Sequence, residues 1–251
     1  MIPVLLAAPR SFSVYETISF FLQDKETPHP LSAGDDLRKA QPTKGEGEVE
    51  ALRFQFLQNS RFFGELNEKM VRFRQRRTNC EGWPEFLYVL IRLVKPEVMV
   101  ETGVFDGISS AVILQALEDN GAGKLVSIDL PAVTTIEEST HRMKETTLPE
   151  GMKPGWVIPD YLRGRQRLVL GDSKTLLPEV LKEHPYIDIF LHDSMHTYEY
   201  QKFEYETAWP KLKKGGWLLS DDVLWTPAFH EFSKKVKKPY KIYQGLGVLR
   251  R

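Results

Sequence analysis

The chain has 251 residues, of which 41% are hydrophobic and 27% charged, ordinary values for a globular protein that buries a core. Lys plus Arg and Asp plus Glu both number 34, and this zero net charge removes any global electrostatic reason to expect a nucleic-acid or membrane-surface partner. A single cysteine, Cys80, and the absence of any stretch near the roughly 20 apolar residues of a membrane helix favour a cytoplasmic protein.

Residues 1–95 are predicted to form a helical, aromatic-rich extension. A stretch rich in Pro, Gly and charge, residues 24–48, interrupts it and is predicted to be a mobile loop. Apolar residues then recur at helical spacing from Glu48 to Arg77, and Pro84 suits the first turn of a further helix. This region can act as a packing layer, as a lid over a substrate pocket or as an interface between copies of the chain.

From Lys95 onward, strands alternate with helices. Strands are predicted at 97–101, 124–130, 167–172, 186–193 and 215–222, with a terminal hairpin from Tyr240 and a long helix at 198–214. Near-continuous apolar strands separated by helices predict an α/β fold, namely a doubly wound, mostly parallel seven-stranded sheet of Rossmann-like type with an antiparallel C-terminal hairpin. We expect residues 96–251 to form one domain whose ligands gather at the carboxyl ends of the strands.

A glycine turn, VETGVFDGISS, joins the first strand to its helix. Gly103 and Gly107 permit a tight turn and the close approach of a ligand. The turn lacks the G-x-G-x-x-G spacing of dinucleotide sites. Glu101 would repel a pyrophosphate but attract an ammonium or sulfonium group. The turn therefore predicts a cationic ligand, with a plain strand-to-helix connection as the alternative.

Acidic residues also end the next two strands. Asp129 lies 22 residues after Gly107, a distance suited to accepting hydrogen bonds from both hydroxyls of a ribose. Asp172 and Ser173 end the third strand, where a carboxylate or a neighbouring amide can contact an adenine edge. Each aspartate alone could be a helix cap. Together they indicate a nucleoside with a positively charged tail and no phosphate.

The ordered segments ETGVFDG, SIDL and LGDS resemble the first three motifs of the class I S-adenosylmethionine-dependent methyltransferases, over about residues 95–251. The resemblance implies S-adenosylmethionine as the cofactor, with the methionine ammonium at Glu101, the ribose at Asp129 and the adenine near Asp172. The full set of cofactor-binding residues that we expect is Glu101, Gly103, Gly107, Ser109, Asp129, Asp172, Ser173 and Asp193.

A second acidic group is predicted where the fourth and fifth strands end. Asp193 follows one strand and Asp221 with Asp222 follows the other, so three carboxylates should converge. Like charges at short distance raise one another's pKa values, and a bound dication removes that conflict. Oxygen ligands favour Mg²⁺, Ca²⁺ or Mn²⁺ over zinc, although a histidine of this stretch could recruit a softer metal.

DSMHTY followed by GGWLLSDD resembles a metal-dependent O-methyltransferase subgroup, close to the macrolide and sugar O-methyltransferases and the cephalosporin-hydroxylase-like proteins. The resemblance implies that Asp193, Asp221 and Asp222 bind Mg²⁺ and that His196 is the general base. Relatives often have Glu-Asp where this chain has Asp-Asp, so the shorter Asp221 is the least secure ligand. The implied reaction is methyl transfer to a small hydroxylated acceptor, such as a sugar, a glycoside or a catechol-like group.

Some side chains have structural alternatives. His192 should point away from Asp193 if the strand alternates, which favours a structural role. His196 could instead bond local backbone at a helix start. Trp156, in the long segment 154–166, either covers the cofactor or acceptor or anchors the loop.

Three other functions stay open: a hydroxylase-like reaction on the same scaffold, a nicotinamide-dependent oxidoreductase and a non-catalytic binding module. The missing glycine fingerprint argues against the second. The cluster of carboxylates with a histidine argues against the third. A small-molecule acceptor is the expected partner, without nucleic acid or membrane, and the N-terminal helices could join copies of the chain.

Overall fold

The computed structural model describes residues 13–22, 44–130 and 148–251. In these ranges the helices are α1 Val14–Leu22, α2 Lys44–Leu57, α3 Ser60–Arg74, α4 Trp83–Val94, α5 Ile108–Asp119, α6 Ser173–Lys182, α7 Tyr198–Ala208 and α8 Ala228–Val236. The strands are β1 Val98–Thr102, β2 Lys124–Asp129, β3 Gln166–Leu170, β4 Ile187–His192, β5 Leu212–Ser220, β6 Tyr240–Tyr243 and β7 Leu246–Arg250. Most of the predicted loop 24–48 lies outside the described residues, and its last part is the start of α2.

The seven strands form one sheet in the order β3-β2-β1-β4-β5-β7-β6. Strands β1 to β5 are parallel to one another, while β7 runs antiparallel to both β5 and β6. The predicted fold class is therefore confirmed, including the antiparallel C-terminal hairpin. The strand order reverses at β1, which has β2 on one side and β4 on the other, and such a reversal opens a crevice at the carboxyl ends of the strands.

Two helix boundaries differ from the sequence prediction. The periodic region 48–77 is broken into α2 and α3 because the Asn59 side chain accepts a hydrogen bond from the Phe62 N–H and caps a new helix. The helix predicted at 198–214 ends at Ala208. Pro210, which lacks a backbone N–H, occupies a 3₁₀ turn, and β5 begins directly afterwards, earlier than the predicted 215.

The sheet buries a hydrophobic cluster on each face. On one face, residues of α1 to α4 share a single cluster with α5 and with sheet residues such as Met99 and Trp217. On the other face, α6, α7 and α8 cover Val100 and Phe190. In the described part of the chain, the N-terminal helices are thus a packing layer. A boundary near residue 95, and a role as lid or interface, stay predictions.

The segment between α3 and α4 carries Cys80. This thiol is free and only 3% exposed, and burial raises its pKa to about 12. Among the described helices, none combines the length and apolarity needed to span a bilayer.

Candidate active site

The glycine turn presses the end of β1 against the end of β4. Gly103 has φ +86°, and a Cβ placed on it would lie 1.9 Å from the Asp193 carbonyl oxygen, so only glycine fits. The Asp193 N–H donates to the Thr102 carbonyl at 2.8 Å, and the Asp221 N–H donates to the His192 carbonyl at 2.9 Å. These bonds join the ends of β1, β4 and β5, as the sequence predicted for neighbouring parallel strands.

Asp129 braces the glycine turn from the end of β2. Its Oδ2 accepts the backbone N–H groups of Val104 at 2.6 Å and Phe105 at 2.8 Å. Burial raises the pKa of Asp129, and the two amides oppose that rise. Oδ2 therefore serves the turn, which leaves the ribose contact predicted for this residue to Oδ1.

Glu101 is fully buried beneath the turn. Its Oε1 accepts the hydroxyls of Ser110 at 2.5 Å and Ser127 at 2.6 Å, whereas Oε2 has no hydrogen-bond partner among the described residues. Burial raises the pKa of Glu101 to about 7, although both hydroxyls oppose it. A buried carboxylate oxygen without a partner is costly. A cationic group of a ligand would satisfy it.

The end of β3 supplies the third predicted cofactor motif. Asp172 caps α6 by accepting the Lys174 N–H at 3.0 Å. The Ser173 hydroxyl is turned inward and donates to Glu204 at 2.5 Å. Ser109, in the first turn of α5, is buried beside Gly107. Asp172 thus takes the cap role that the sequence left as its alternative, and this contact does not test adenine binding.

A cavity of about 370 Å³ opens between this turn and the N-terminal region. Its lining consists of residues 104–109, Asp193, Arg76, residues 81–84 and Gln244. The N-terminal residues were not predicted from the sequence, because no motif marks them. They come to the site through the packing of α3 and α4 on the sheet.

One buried pair fixes this arrangement. Arg74 at the end of α3 donates from Nε and Nη2 to the Asp106 carboxylate at 2.9 and 2.6 Å. Trp156 donates from Nε1 to the same carboxylate at 2.8 Å and meets Phe73 edge to face. These contacts anchor the loop through Trp156, and a role of this side chain over the cofactor or acceptor stays a prediction.

Two of the three predicted metal ligands lie together, and His196 takes the third place in the group. Asp193, His196 and Asp221 each offer a ligand atom, and these atoms lie within 4.8 Å of one another. Asp222 lies at the edge of this group, with Oδ2 3.9 Å from His196 Nδ1. Asp221, which the sequence made the least secure ligand, belongs to this group and Asp222 does not, while metal binding by either residue stays a prediction.

The electrostatics of this group favour a cation. Desolvation, followed by the charges of Asp221 and Glu101, raises the pKa of Asp193 well above its ordinary value. Desolvation likewise raises the pKa of Asp221 and lowers that of His196. His196 Nε2 is buried without a hydrogen-bond partner among the described residues. Two carboxylates and an imidazole nitrogen at this spacing fit a divalent metal ion, with oxygen ligands in the majority.

A buried network beneath the site was missed by sequence reasoning. Glu204 of α7 is fully buried and accepts hydrogen bonds from Thr102, Ser173 and Ser194 and from Nδ1 of His192. Burial would raise the pKa of Glu204, but the His192 contact and the hydroxyls outweigh it and lower the pKa. The one indication in the sequence was the helical spacing of α7, which places Glu204 on the same buried face as Gln201, Tyr205 and Ala208.

Comparisons with known proteins bear on the family and the fold of the chain. The sequence model of a family described as a methyltransferase domain matches residues 100–223. No curated protein matches the chain by sequence. The solved structure of the S-adenosylhomocysteine-bound methyltransferase PaMTH1 of Podospora anserina has 14% identity and a TM-score of 0.53, covering 85% of this chain and 99% of that one.

Two further structures are similar at the same level. The O-methyltransferase TomG of Streptomyces achromogenes, solved with S-adenosylmethionine, has 14% identity and a TM-score of 0.52, covering 81% of this chain and 95% of that one. The apo structure of CalS11, a TDP-rhamnose 3'-O-methyltransferase of calicheamicin biosynthesis, has 22% identity and a TM-score of 0.51, covering 86% and 99%. At these identities the likeness establishes the fold.

Proposed function

We propose that the protein is an S-adenosylmethionine-dependent and divalent-metal-dependent O-methyltransferase acting on a small hydroxylated acceptor. The match of residues 100–223 to a methyltransferase domain and the sheet topology support the proposal. The observation that carries the proposal is the group of Asp193, His196 and Asp221 directly beside the glycine turn. This arrangement puts a base and a cation site next to a cofactor site. The O-methyltransferases among the structural neighbours support the same chemistry.

The proposed cofactor site follows the crevice from β4 to β3. Glu101 would hold the methionine ammonium through its unpartnered Oε2, since that oxygen is buried and charged groups there need a counter-charge. Asp129 would bind the ribose through its remaining oxygen. The other proposed contacts are Gly103, Gly107, Ser109, Asp172, Ser173 and Asp193.

The proposed reaction rests on two kinds of side chain. Asp193 and Asp221 would be ligands of a Mg²⁺ or similar hard ion, with Asp222 beside them. When bound there, such an ion lowers the pKa of an acceptor hydroxyl. His196, kept neutral by desolvation, would take the hydroxyl proton at a ring nitrogen. The base role and the ligand role compete for this histidine, and we assign it the base role.

The acceptor is expected to have an apolar or ring-shaped face. Met195, Leu224 and Trp225 are 48%, 66% and 62% exposed, and the Trp225 ring meets the His196 ring edge to face at 5.5 Å. An exposed aromatic ring beside the base is a suitable platform for a sugar or an aromatic ring. This rim supports sugars, glycosides and catechol-like groups as acceptors, and CalS11 is a neighbour that methylates a sugar.

Replacing Asp221 tests the proposal. We expect Asp221→Ala to lose Mn²⁺ binding and methyl transfer, because it removes a ligand but no cofactor contact, while S-adenosylhomocysteine binds within about threefold of wild type. Calorimetry with both ligands, together with detection of S-adenosylhomocysteine from a panel of hydroxylated acceptors, measures this. Asp160→Ala, at a carboxylate that is 86% exposed, is the control. Full activity of Asp221→Ala in EDTA would refute the metal role.

A further inference from the structure

Glu204 is a buried carboxylate for which the proposed reaction has no direct use. Its Oε2 accepts from Thr102 at 2.5 Å and is 2.6 Å from His192 Nδ1. Its Oε1 accepts from Ser173 at 2.5 Å and from Ser194 at 2.8 Å. One side chain of α7 therefore holds the ends of β1 and β4 and the start of α6 at the same time.

Each of these donors adjoins a residue of the proposed site. Thr102 lies between Glu101 and Gly103, and Ser173 follows Asp172. His192 and Ser194 lie on either side of Asp193. β4 ends at His192, and Asp193 and Ser194 lie in the turn that follows it. Because His192 and Ser194 are both fixed on Glu204, the backbone is held on each side of Asp193, whose carboxylate lies with His196 and Asp221.

His192 extends this arrangement to His196. Both His192 and Glu204 are fully buried, and Nδ1 lies 2.6 Å from Oε2. Because Glu204 also accepts three hydroxyl groups, we assign Nδ1 as the donor of this hydrogen bond. This bond fixes the ring plane of His192. The His196 ring meets it edge to face, with centroids 5.4 Å apart and planes at 89°. His196 is thereby held between His192 and Trp225.

We propose that Glu204 and His192 form a positioning unit that directs the Asp193 carboxylate and the His196 ring into the catalytic site. The importance of this unit for catalysis rests on the proposed function, but its effect on the orientation of the two side chains does not. Groups that hydrogen-bond a metal ligand typically change metal affinity by about ten- to a hundredfold, and Glu204 acts one residue further away, through the neighbours of Asp193, so we expect an effect at the lower end of that range. Neither Glu204 nor His192 would touch the acceptor.

The first test compares Glu204→Gln with Glu206→Gln. Glu206 is on the same helix, but it is partly exposed and pairs with Lys235 at the surface. We expect Glu204→Gln to stay folded by circular dichroism and to bind Mn²⁺ about tenfold more weakly than wild type. Glu206→Gln should match wild type in both measurements. A fall in melting temperature alone, with the Mn²⁺ affinity unchanged, would overturn the inference.

A structural readout makes the test independent of the metal. In a crystal structure of Glu204→Gln, the ligand atoms of Asp193, His196 and Asp221 should no longer all lie within the 4.8 Å seen here. An unchanged cluster would overturn the inference. If wild type binds no Mn²⁺, the proposed metal site fails, and this comparison still decides the positioning role.

A pair of His192 variants covers the case in which Glu204→Gln does not fold. Asn can place a side-chain N–H near the position of Nδ1, whereas Leu cannot donate. We expect His192→Asn to keep most of the Mn²⁺ affinity and His192→Leu to lose at least about tenfold. Equal affinities in the two variants would overturn the inference, because a purely packing role would not depend on the donor.

Discussion

Protonation of Glu101 should make the stability of the protein depend on pH. Burial raises its pKa from 4.5 to about 7, so the folded state holds a proton that the unfolded state has released. The stabilisation that this proton gives is complete below pH 4.5 and is lost as the pH rises through about 7. A shift of this size corresponds to about 3 kcal/mol.

Glu101→Gln should therefore reduce the dependence of the unfolding free energy on pH. Between about pH 5 and about pH 8, we expect the unfolding free energy of wild type to fall by about 2 to 3 kcal/mol relative to the variant. Urea unfolding of both proteins at the two pH values measures this, and the other titrating groups cancel in the difference. Parallel pH profiles for the two proteins would show that Glu101 is ionised throughout.

At the scale of residues, the sequence was informative where chemistry follows from chain position. Asp193, His196 and Asp221 come together because parallel strands end at one edge, and strand ends can be read from apolar runs. Glu204 could not be found in this way. It lies inside a helix, and only the three-dimensional packing of α7 shows that four donors converge on it.

At the scale of elements, the ion pair between Arg74 and Asp106 contributes to the contact between α3 and the glycine turn. The side chains of Arg74 and Asp106 are 18% and 3% exposed. Asp106→Asn removes the charge of the buried partner, so we expect it to cost about 3 kcal/mol of unfolding free energy. Glu65→Gln, in the exposed pair with Arg61, should cost less than about 0.5 kcal/mol. Chemical denaturation of both variants decides, and equal losses would contradict the prediction.

The lengths of the elements were less predictable than their order. Hydrophobic periodicity continues across Asn59, so the sequence did not reveal that its side chain would start a new helix. Helical periodicity also continues past Pro210, but the residues from Leu212 onward form β5, which pairs with β4 and β7. In both cases, tertiary contacts or a single capping bond outweighed the local pattern.

At the scale of the whole molecule, the fold class and the class I methyltransferase assignment were predicted from the sequence and are confirmed. The alternation of strands and helices predicted the fold class, and the ordered segments ETGVFDG, SIDL and LGDS carried the resemblance to the family. The place of the N-terminal helices was not predictable, because amphipathic helices can pack on any apolar surface. Phe21 meets Trp217 of β5 edge to face, and Phe86 stacks on Tyr243 of β6, each at 5.3 Å.

This shared core predicts the result of truncation. We expect residues 96–251 alone not to fold cooperatively, because removing α1 to α4 exposes one apolar face of the sheet. The measurement is thermal unfolding followed by near-ultraviolet circular dichroism, with the full chain as the control. A sharp transition in the fragment would instead support an independent domain with a boundary near residue 95.

Cys80 gives this protein a reporter that needs no engineering. The thiolate is the reactive form, so a buried thiol with a pKa of about 12 should resist a thiol-specific chromogenic reagent until the chain around it opens. Since the sequence contains one cysteine, every labelling event comes from that place, next to the residues that line the cavity. The labelling rate would then measure how often the cavity wall opens. A small molecule that binds in the cavity and stabilises the wall would slow labelling, whether or not the protein converts that molecule.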